Sequence, residues 1–237
     1  HSFPTRRSSD LDLKALIFSA IEILKNKKQN IVISETNNLN FIIKLFAAIF
    51  SNKNIYLLSD VKKLNLIEFD YDLFDENEFK YTQNYSFPKV DENNLIINFF
   101  TSGSSSKPKS IKKSLYNLIK EAQDLGEEFG IKDKTVISTT TMCHLFGLTF
   151  HFMFPLVNNL KIYTPTVLYP DNLNIKNSVL ISTPTFLSTI EKYRINLEIQ
   201  PEYIITSGSK LDENVFKYIE NQTNIIEIYG STETGVI

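Results

Sequence analysis

The chain has a single cysteine, Cys143, among its 237 residues. One thiol forms neither an internal disulfide nor a metal cluster by itself, so the expected setting is a reducing, cytoplasmic one. An excess of one charge is also missing. The 25 Lys and Arg stand against 27 Asp and Glu, for a formal net charge of −2. That balance argues against a nucleic-acid or anionic-membrane surface as the main partner. No apolar run is long enough for a helix across a bilayer of about 30 Å. The most apolar stretch, 142–157, is short and contains His144 and His151, so a buried helix or pocket wall is expected there. There is no internal repeat, no low-complexity tract and no apolar signal-peptide core at the start. Glycine is scarce at seven residues, and five of them (103, 147, 208, 230 and 235) fall in the segments singled out below. Such clustering in a glycine-poor chain marks special backbone positions.

What is present describes a globular protein. At about 150 residues per domain the length allows one large domain or two small ones with a real core. Residues 1–11, HSFPTRRSSDL, have no apolar period and resemble a one-frame translation of a sequencing-library adapter. A non-native leader is expected over 1–11, with a disordered native terminus as the alternative. Beyond it, apolar β-rich runs alternate with helical periods. Helices are expected over 13–24, 39–50, 114–129, 184–193 and 212–221. Strands are expected at 31–34, 55–60, 95–100, 135–139, 161–164, 179–183, 203–207 and 225–230. That alternation is the signature of βαβ units around parallel sheets flanked by helices. The stretch 60–94 interleaves acids with aromatics. Asp70, Asp72, Asp75, Glu76 and Glu78 allow a metal site, but their spacing fits no known loop. A solvated connection with aromatic anchors is the expected form.

Two segments carry chemistry. Thr101-Ser102-Gly103-Ser104-Ser105-Ser106-Lys107-Pro108-Lys109 is expected between a strand and a helix. Small residues there let backbone N–H groups approach an anion, while hydroxyls add donors and lysine adds charge, as a nucleotide's phosphates require. A flexible Ser/Gly loop has the same composition, and the spacing is not that of a Walker A loop. The second segment, Tyr229-Gly230-Ser231-Thr232-Glu233-Thr234-Gly235, follows another strand. Its tyrosine can stack on a base, its hydroxyls can reach phosphate oxygens and its glutamate can hold Mg2+. An ordinary strand-ending turn is the plainer alternative.

Taken together, the motifs resemble those of the adenylate-forming, AMP-binding superfamily, which includes acyl- and aryl-CoA synthetases and peptide-synthetase adenylation domains. TSGSSSKPK is similar to its TSGSTG-x-PK loop and YGSTETG to its Y-G-x-T-E motif. TSGSKL at 206–211 lies between them, where the family has its adenine segment. The resemblance covers about residues 30–237. It implies an α/β fold, the family's large N-terminal domain, with 12–237 an incomplete copy lacking the small C-terminal domain. The chain alone is then expected to be inactive or nearly so. It further implies ATP and Mg2+, a carboxylic acid substrate, and CoA or a phosphopantetheine arm on an acyl carrier protein as thiol acceptor.

By motif position, Thr101, Ser102, Gly103, Ser104, Ser105 and Lys109 would hold the β- and γ-phosphates. Gly208, Ser209 and Lys210 would line the adenine, with Tyr229 and Gly230 beside it. Thr232 would contact the α-phosphate, Glu233 would bind Mg2+, and His144 would sit by the acyl carboxylate. His144 alone would read as a core histidine. Ser105 and Ser106 depart from the family's Thr-Gly, and a serine held at φ > 0 costs on the order of 1 kcal/mol.

Thr135 to Pro170 contains no Asp or Glu to pair with a substrate ammonium, so an apolar acyl or aryl acid is expected rather than an amino acid. Phe146, Leu148, Phe150, Phe152, Met153 and Phe154 are the expected pocket wall, or else plain core. The competing readings are a degenerate nucleotide-binding homologue, an amino-acid adenylation domain, and a Ser-x-x-Lys hydrolase. Ser207–Lys210 and Ser106–Lys109 fit the hydrolase string, but neither Ser-Asp-Asn nor Lys-Thr-Gly follows.

Overall fold

The computed structural model describes residues 6–76, 79, 86–101, 109–170, 175–197, 201–231 and 234–236. They form two compact units, His1–Tyr116 and Asn117–Ile237.

The first unit contains α1 (Arg6–Leu24), β1 (Asn30–Ile33), α2 (Asn38–Phe50), β2 (Asn54–Leu57), a 3-10 helix (Val61–Leu66), β3 (Asp72–Leu73), β4 (Ile96–Thr101) and β5 (Lys109–Ser114). α1 reaches back to Arg6, into the stretch expected to be a leader. The sheet order is β3-β1-β2-β4-β5, parallel except for the antiparallel β4–β5 hairpin. α2 starts cleanly because the Asn37 side chain accepts from the Asn40 N–H, satisfying one orphan donor of the first turn. Its apolar residues Phe41, Ile42, Leu45 and Ile49 are buried at helical spacing.

The second unit contains α3 (Leu115–Phe129), β6 (Thr135–Ser138), α4 (Leu145–Gly147), a π-helical segment (Leu148–Met153), α5 (Phe154–Val157), β7 (Lys161–Thr166), β8 (Ser178–Ser182), α6 (Pro184–Lys192), β9 (Tyr203–Thr206), α7 (Glu213–Glu220), β10 (Asn224–Glu227) and the two-stranded ribbon β11 (Gly230–Ser231) and β12 (Gly235–Val236). Its main sheet has the order β10-β9-β8-β6-β7 and is parallel throughout. Alternate strand residues feed two cores, as the two-residue strand period requires. Ile137, Leu180 and Ile204 pack with Leu187, Ile190, Val215 and Ile219 from α6 and α7. Val136, Val179, Ile181 and Ile205 pack with Leu125, Phe150 and Phe154 on the other face. A parallel sheet covered on both faces explains why its strands read as unbroken apolar runs.

Turns need a residue at positive φ, and this glycine-poor chain supplies several from asparagine. Asn52, Asn159 and Asn177 take φ of 50°, 56° and 57°, a region that a short polar side chain tolerates best after glycine.

Two sequence expectations change. The phosphate-loop motif does not run from strand into helix. Thr101 pairs with Lys109 across the β4–β5 hairpin, and α3 begins only after β5. β5 is KSIKKS, a lysine-rich strand at the sheet edge with one apolar residue, and such protected edges carry little apolar signal. The stretch 60–94 is also more structured than a connection, since β3 adds a parallel edge strand to β1. Its acids pair with lysines: Asp70 and Asp72 with Lys28, and Glu76 with Lys27. Its aromatics anchor it, with Phe69 at 4.4 Å from the Tyr56 ring and Phe74 fully buried.

Candidate active site

The parallel sheet of the second unit leaves a cleft of about 310 Å3 beyond the carboxyl ends of its strands. Thr140 and His144 follow β6, Thr183 follows β8, Ser207 and Gly208 follow β9, and Ile228 and Gly230 follow β10; all of them line it. The β6–β7 connection leaves toward one edge of the sheet while β8, β9 and β10 succeed one another toward the other. Ligands of open α/β sheets bind where the connections diverge in this way.

Hydroxyl groups tie together the strand ends beside the cleft. The Ser138 Oγ accepts from the Thr140 N–H at 2.9 Å, turning the chain out of β6. Thr139 Oγ1 and Ser182 Oγ lie 3.1 Å apart, joining β6 to β8. Ser207 donates to the Ile228 carbonyl at 2.9 Å, and the Ile228 N–H donates to Thr206 at 2.8 Å, so the exits of β9 and β10 move as one piece. The turn continues to His144, which stands at the N-cap position of α4 with its side chain exposed and its carbonyl accepting from the Leu148 N–H at 2.8 Å. Gly147 is required there, because a Cβ would lie 2.0 Å from the Thr141 carbonyl oxygen.

Against the expected alternatives for the apolar wall, the structure divides the side chains. Phe146 and Phe150 line the cleft with Leu145. Leu148, Phe152, Met153 and Phe154 are buried core residues. The π-helical turn accommodates this division, since one extra residue per turn re-aims side chains relative to an α-helix. His151, not His144, is the core histidine. It is fully buried, with Nε2 2.9 Å from the Tyr163 carbonyl. Burial, opposed only in part by that hydrogen bond, lowers its pKa to about 4.

A second cleft of about 460 Å3 shares Ser207, Gly208, Ile228 and Gly230 with the first. It adds Ser209, Lys210, Glu227 and Tyr229. Gly208 has φ +109°, a conformation that side-chain-bearing residues rarely adopt, with open space where a Cβ would project. The Glu227 carboxylate accepts from the Leu211 N–H at 2.8 Å, tying the loop after β9 to the end of β10. Tyr229 is 79% exposed, its ring available for stacking.

The AMP-binding enzyme profile matches residues 18–237. The chain belongs to the AMP-binding enzyme family. Among solved structures it is similar to ATP-bound MatB from Rhodopseudomonas palustris, with TM-score 0.73 and 16% identity over 94% of this chain and 55% of that one. It is similar to E. coli MenE bound to an m-phenylether-linked analogue of OSB-AMS, with TM-score 0.74 and 11% identity over 97% of this chain and 57% of that one. It is also similar to McyG A-PCP complexed with phenylalanyl-adenylate, with TM-score 0.73 and 15% identity over 99% of this chain and 54% of that one. Identities this low carry the fold alone, and the chain spans about half the length of each of these structures. No curated protein matches the chain by sequence.

Of the residues that an AMP-binding enzyme is expected to use, the two adjoining clefts gather His144, Gly208, Ser209, Lys210, Tyr229 and Gly230. Thr101 and Lys109 are paired backbone to backbone in the β4–β5 hairpin. Ser102, Gly103, Ser104, Ser105, Thr232 and Glu233 lie outside the described residues, and so does Ser106. Ser231 and Thr234, which flank Thr232 and Glu233, bind each other through their hydroxyls at 3.1 Å. Among the described residues no helix is long and apolar enough to cross a membrane. Two ionisable cleft residues are not among those expected from the sequence. Glu227 falls within the strand expected at 225–230, and its place two residues before Tyr229 is the signal that marks it. Glu121 lines the first cleft from α3, a helix whose amphipathic pattern gives no warning of a site.

Proposed function

We propose that the protein activates a carboxylic acid with ATP, forming an acyl-adenylate and pyrophosphate, and then passes the acyl group to a thiol. The observation that carries this reading is the pair of clefts at the strand ends. One is lined by aromatic and apolar side chains with His144, the other by Gly208, Ser209, Lys210 and Tyr229. In the reaction the acid's carboxylate oxygen attacks the α-phosphate and pyrophosphate leaves, so the protein's work is positioning and charge neutralisation at phosphorus. Tyr229 would stack on adenine between the loops that leave β9 and β10, and the Gly208 backbone can approach the base closely because it carries no side chain. His144 would hold the acid carboxylate. Thr101 to Ser105 and Lys109 would bind the β- and γ-phosphates, and Thr232 the α-phosphate. The hydroxyl and carboxylate donors of Thr232 and Glu233 suit Mg2+, a hard cation that prefers oxygen ligands. Mg2+ would supply neutralisation of the phosphate charge.

Phe146, Phe150, Leu145 and Ile228 make the first cleft mainly apolar, which favours an acyl or aryl acid. The acceptor is CoA or a carrier-bound phosphopantetheine. The test is carboxylate-dependent ATP–pyrophosphate exchange on the full-length protein, with fatty, aryl and amino acids. Exchange is expected with an apolar acid and should fall by a hundredfold or more, roughly the cost of losing one charge-stabilising group, in Thr232→Ala or Glu233→Ala. ATP binding without exchange for any acid would instead identify a non-catalytic homologue.

A further inference from the structure

The first cleft has two unlike parts. Ser207, Gly208, Ile228 and Gly230 are shared with the second cleft and mark the side nearer the proposed nucleotide. Leu145, Phe146, Thr149 and Phe150 line the first cleft alone and come from one stretch, α4 and the π-helical segment. Phe150 is 1% exposed, and apart from the cleft it packs among core residues that include Leu125, Val136 and Phe154. Its ring centroid stands 5.1 Å from that of Phe146, at 51°. A ring that lines the cleft and is otherwise enclosed by core is where the cleft stops.

The backbone behind that ring holds it in place. Pro155 has no N–H to give the His151 carbonyl, and a proline ring crowds the carbonyl four residues back. The turn closes one residue wider instead, with the Phe154 N–H donating to the Thr149 carbonyl. The His151 ring, its Nε2 2.9 Å from the Tyr163 carbonyl, joins the same turn to β7. Phe150 lies between these two anchored residues, as a stop and not as a gate.

From this placement we infer that Phe150 sets an upper size for the acid. The substrate is compact, of the size of octanoate or 3-phenylpropanoate, and long-chain fatty acids are excluded. The inference rests on the proposed acid activation and deepens it. A water-sized group takes about 30 Å3 of liquid volume, so a cleft of about 310 Å3 holds roughly ten heavy atoms. Octanoate and 3-phenylpropanoate have that size, whereas hexadecanoate is nearly twice as large. A longer chain would have to displace Phe150 into a close-packed core, which has no space to take it.

The decisive comparison is ATP–pyrophosphate exchange on the full-length protein with saturated acids from butanoate to hexadecanoate, 3-phenylpropanoate and biphenyl-4-carboxylate. The expected kcat/KM rises with chain length as methylenes are buried and then falls roughly tenfold for each further methylene that does not fit. Hexadecanoate and biphenyl-4-carboxylate should lie roughly a hundredfold or more below the best compact acid. In Phe150→Ala the optimum should move to a chain longer by about four carbons, through the space that the ring leaves, with the KM for ATP unchanged. Phe150→Leu keeps an apolar side chain in the core, so it serves where the alanine variant does not fold, and it should move the optimum the same way by a smaller step. A residue that only stabilised the π-helical turn would lower all acids in proportion and leave the optimum where it was. An optimum beyond dodecanoate in the unmodified protein, an optimum unmoved in both variants, or exchange with amino acids alone overturns the assignment and leaves the activation reading standing. No exchange with any acid overturns both.

Discussion

At the residue scale, two glycines are held for different reasons, and each reason can be tested. At Gly147 a Cβ would meet the Thr141 backbone oxygen at 2.0 Å. The clash is with main chain, so Gly147→Ala must shift the turn that carries His144. A loss of about 1–3 kcal/mol is expected from the overpacking, seen as a lower denaturation midpoint. At Gly208 the space is open but φ is +109°, so Gly208→Ala costs backbone strain of about 1–3 kcal/mol without a clash. Gly147→Ala should therefore disturb the backbone resonances of residues 139–148, and Gly208→Ala should not. Unchanged midpoints in both variants would show that neither constraint operates. Both glycines stood out in the sequence because so few others compete with them. Which constraint applies to each is set by the folded backbone, by the Thr141 carbonyl turned back onto Gly147 and by the φ of Gly208, and no residue pattern reports those.

The same scale holds the clearest pH prediction. His151 is buried and neutral, with its pKa lowered from 6.5 to about 4. Above about pH 6.5 both folded and unfolded forms leave it unprotonated and it has no pH effect. As pH falls from there to about 4, the unfolded chain takes up the proton and the folded one does not, so stability drops. The total is about 3 kcal/mol, from 1.36 kcal/mol per pKa unit. Urea unfolding at pH 7.5 and pH 4.5 should show a smaller drop in His151→Gln than in the parent. Parallel losses would rule the histidine out as a cause.

At the element scale, burial decided what could be read in advance. NIVI, NIYL, TVIS, SVLIS and YIIT lie within sheets with at least half of their residues buried, and β-branched runs announce such strands directly. β3, β5 and the β11–β12 ribbon have no such run. They are strands because a neighbour offers backbone partners, and pairing partners are not written locally. α2 depends on a feature with no periodic signal at all. Its Lys44, with a side chain 1% exposed, is bonded to Glu35, 10% exposed, at 2.8 Å and lies 5.8 Å from the Phe74 ring. Glu35 also receives the Thr36 and Asn37 N–H groups at 2.9 Å, which fixes the approach to the helix. Glu35→Ala would leave a buried ammonium without its counter-charge, at a cost of about 3–5 kcal/mol. Replacing both, as Glu35→Gln with Lys44→Met, should recover most of that, because the buried charge goes with its partner. A double variant as unstable as Glu35→Ala alone would refute the ion-pair account.

For the whole molecule, the boundary between the two units falls at Tyr116, inside the first turn of α3. The proline and lysines just before it, KPKSIKK at 107–113, belong to the loop motif and β5 and not to a linker, which is why composition left one large domain and two small ones equally open. Both cores of the second unit, and every described residue of the two clefts, come from 117–237. The sheet that supports the clefts has its strands covered on both faces by helices of the same unit. A segment beginning with α3 at Leu115 therefore contains the packing that forms the clefts. Residues 115–237 expressed alone should give dispersed amide resonances, and adenosine should shift those of Gly208, Ser209 and Tyr229. Adding the phosphate-loop motif, by moving to the full chain, should strengthen binding of ATP more than binding of adenosine, since the N–H groups and lysine of that loop recognise phosphate charge. A folded segment that leaves those resonances unmoved by adenosine would detach the second cleft from the base, and an equal gain for both ligands would detach the loop from the phosphates.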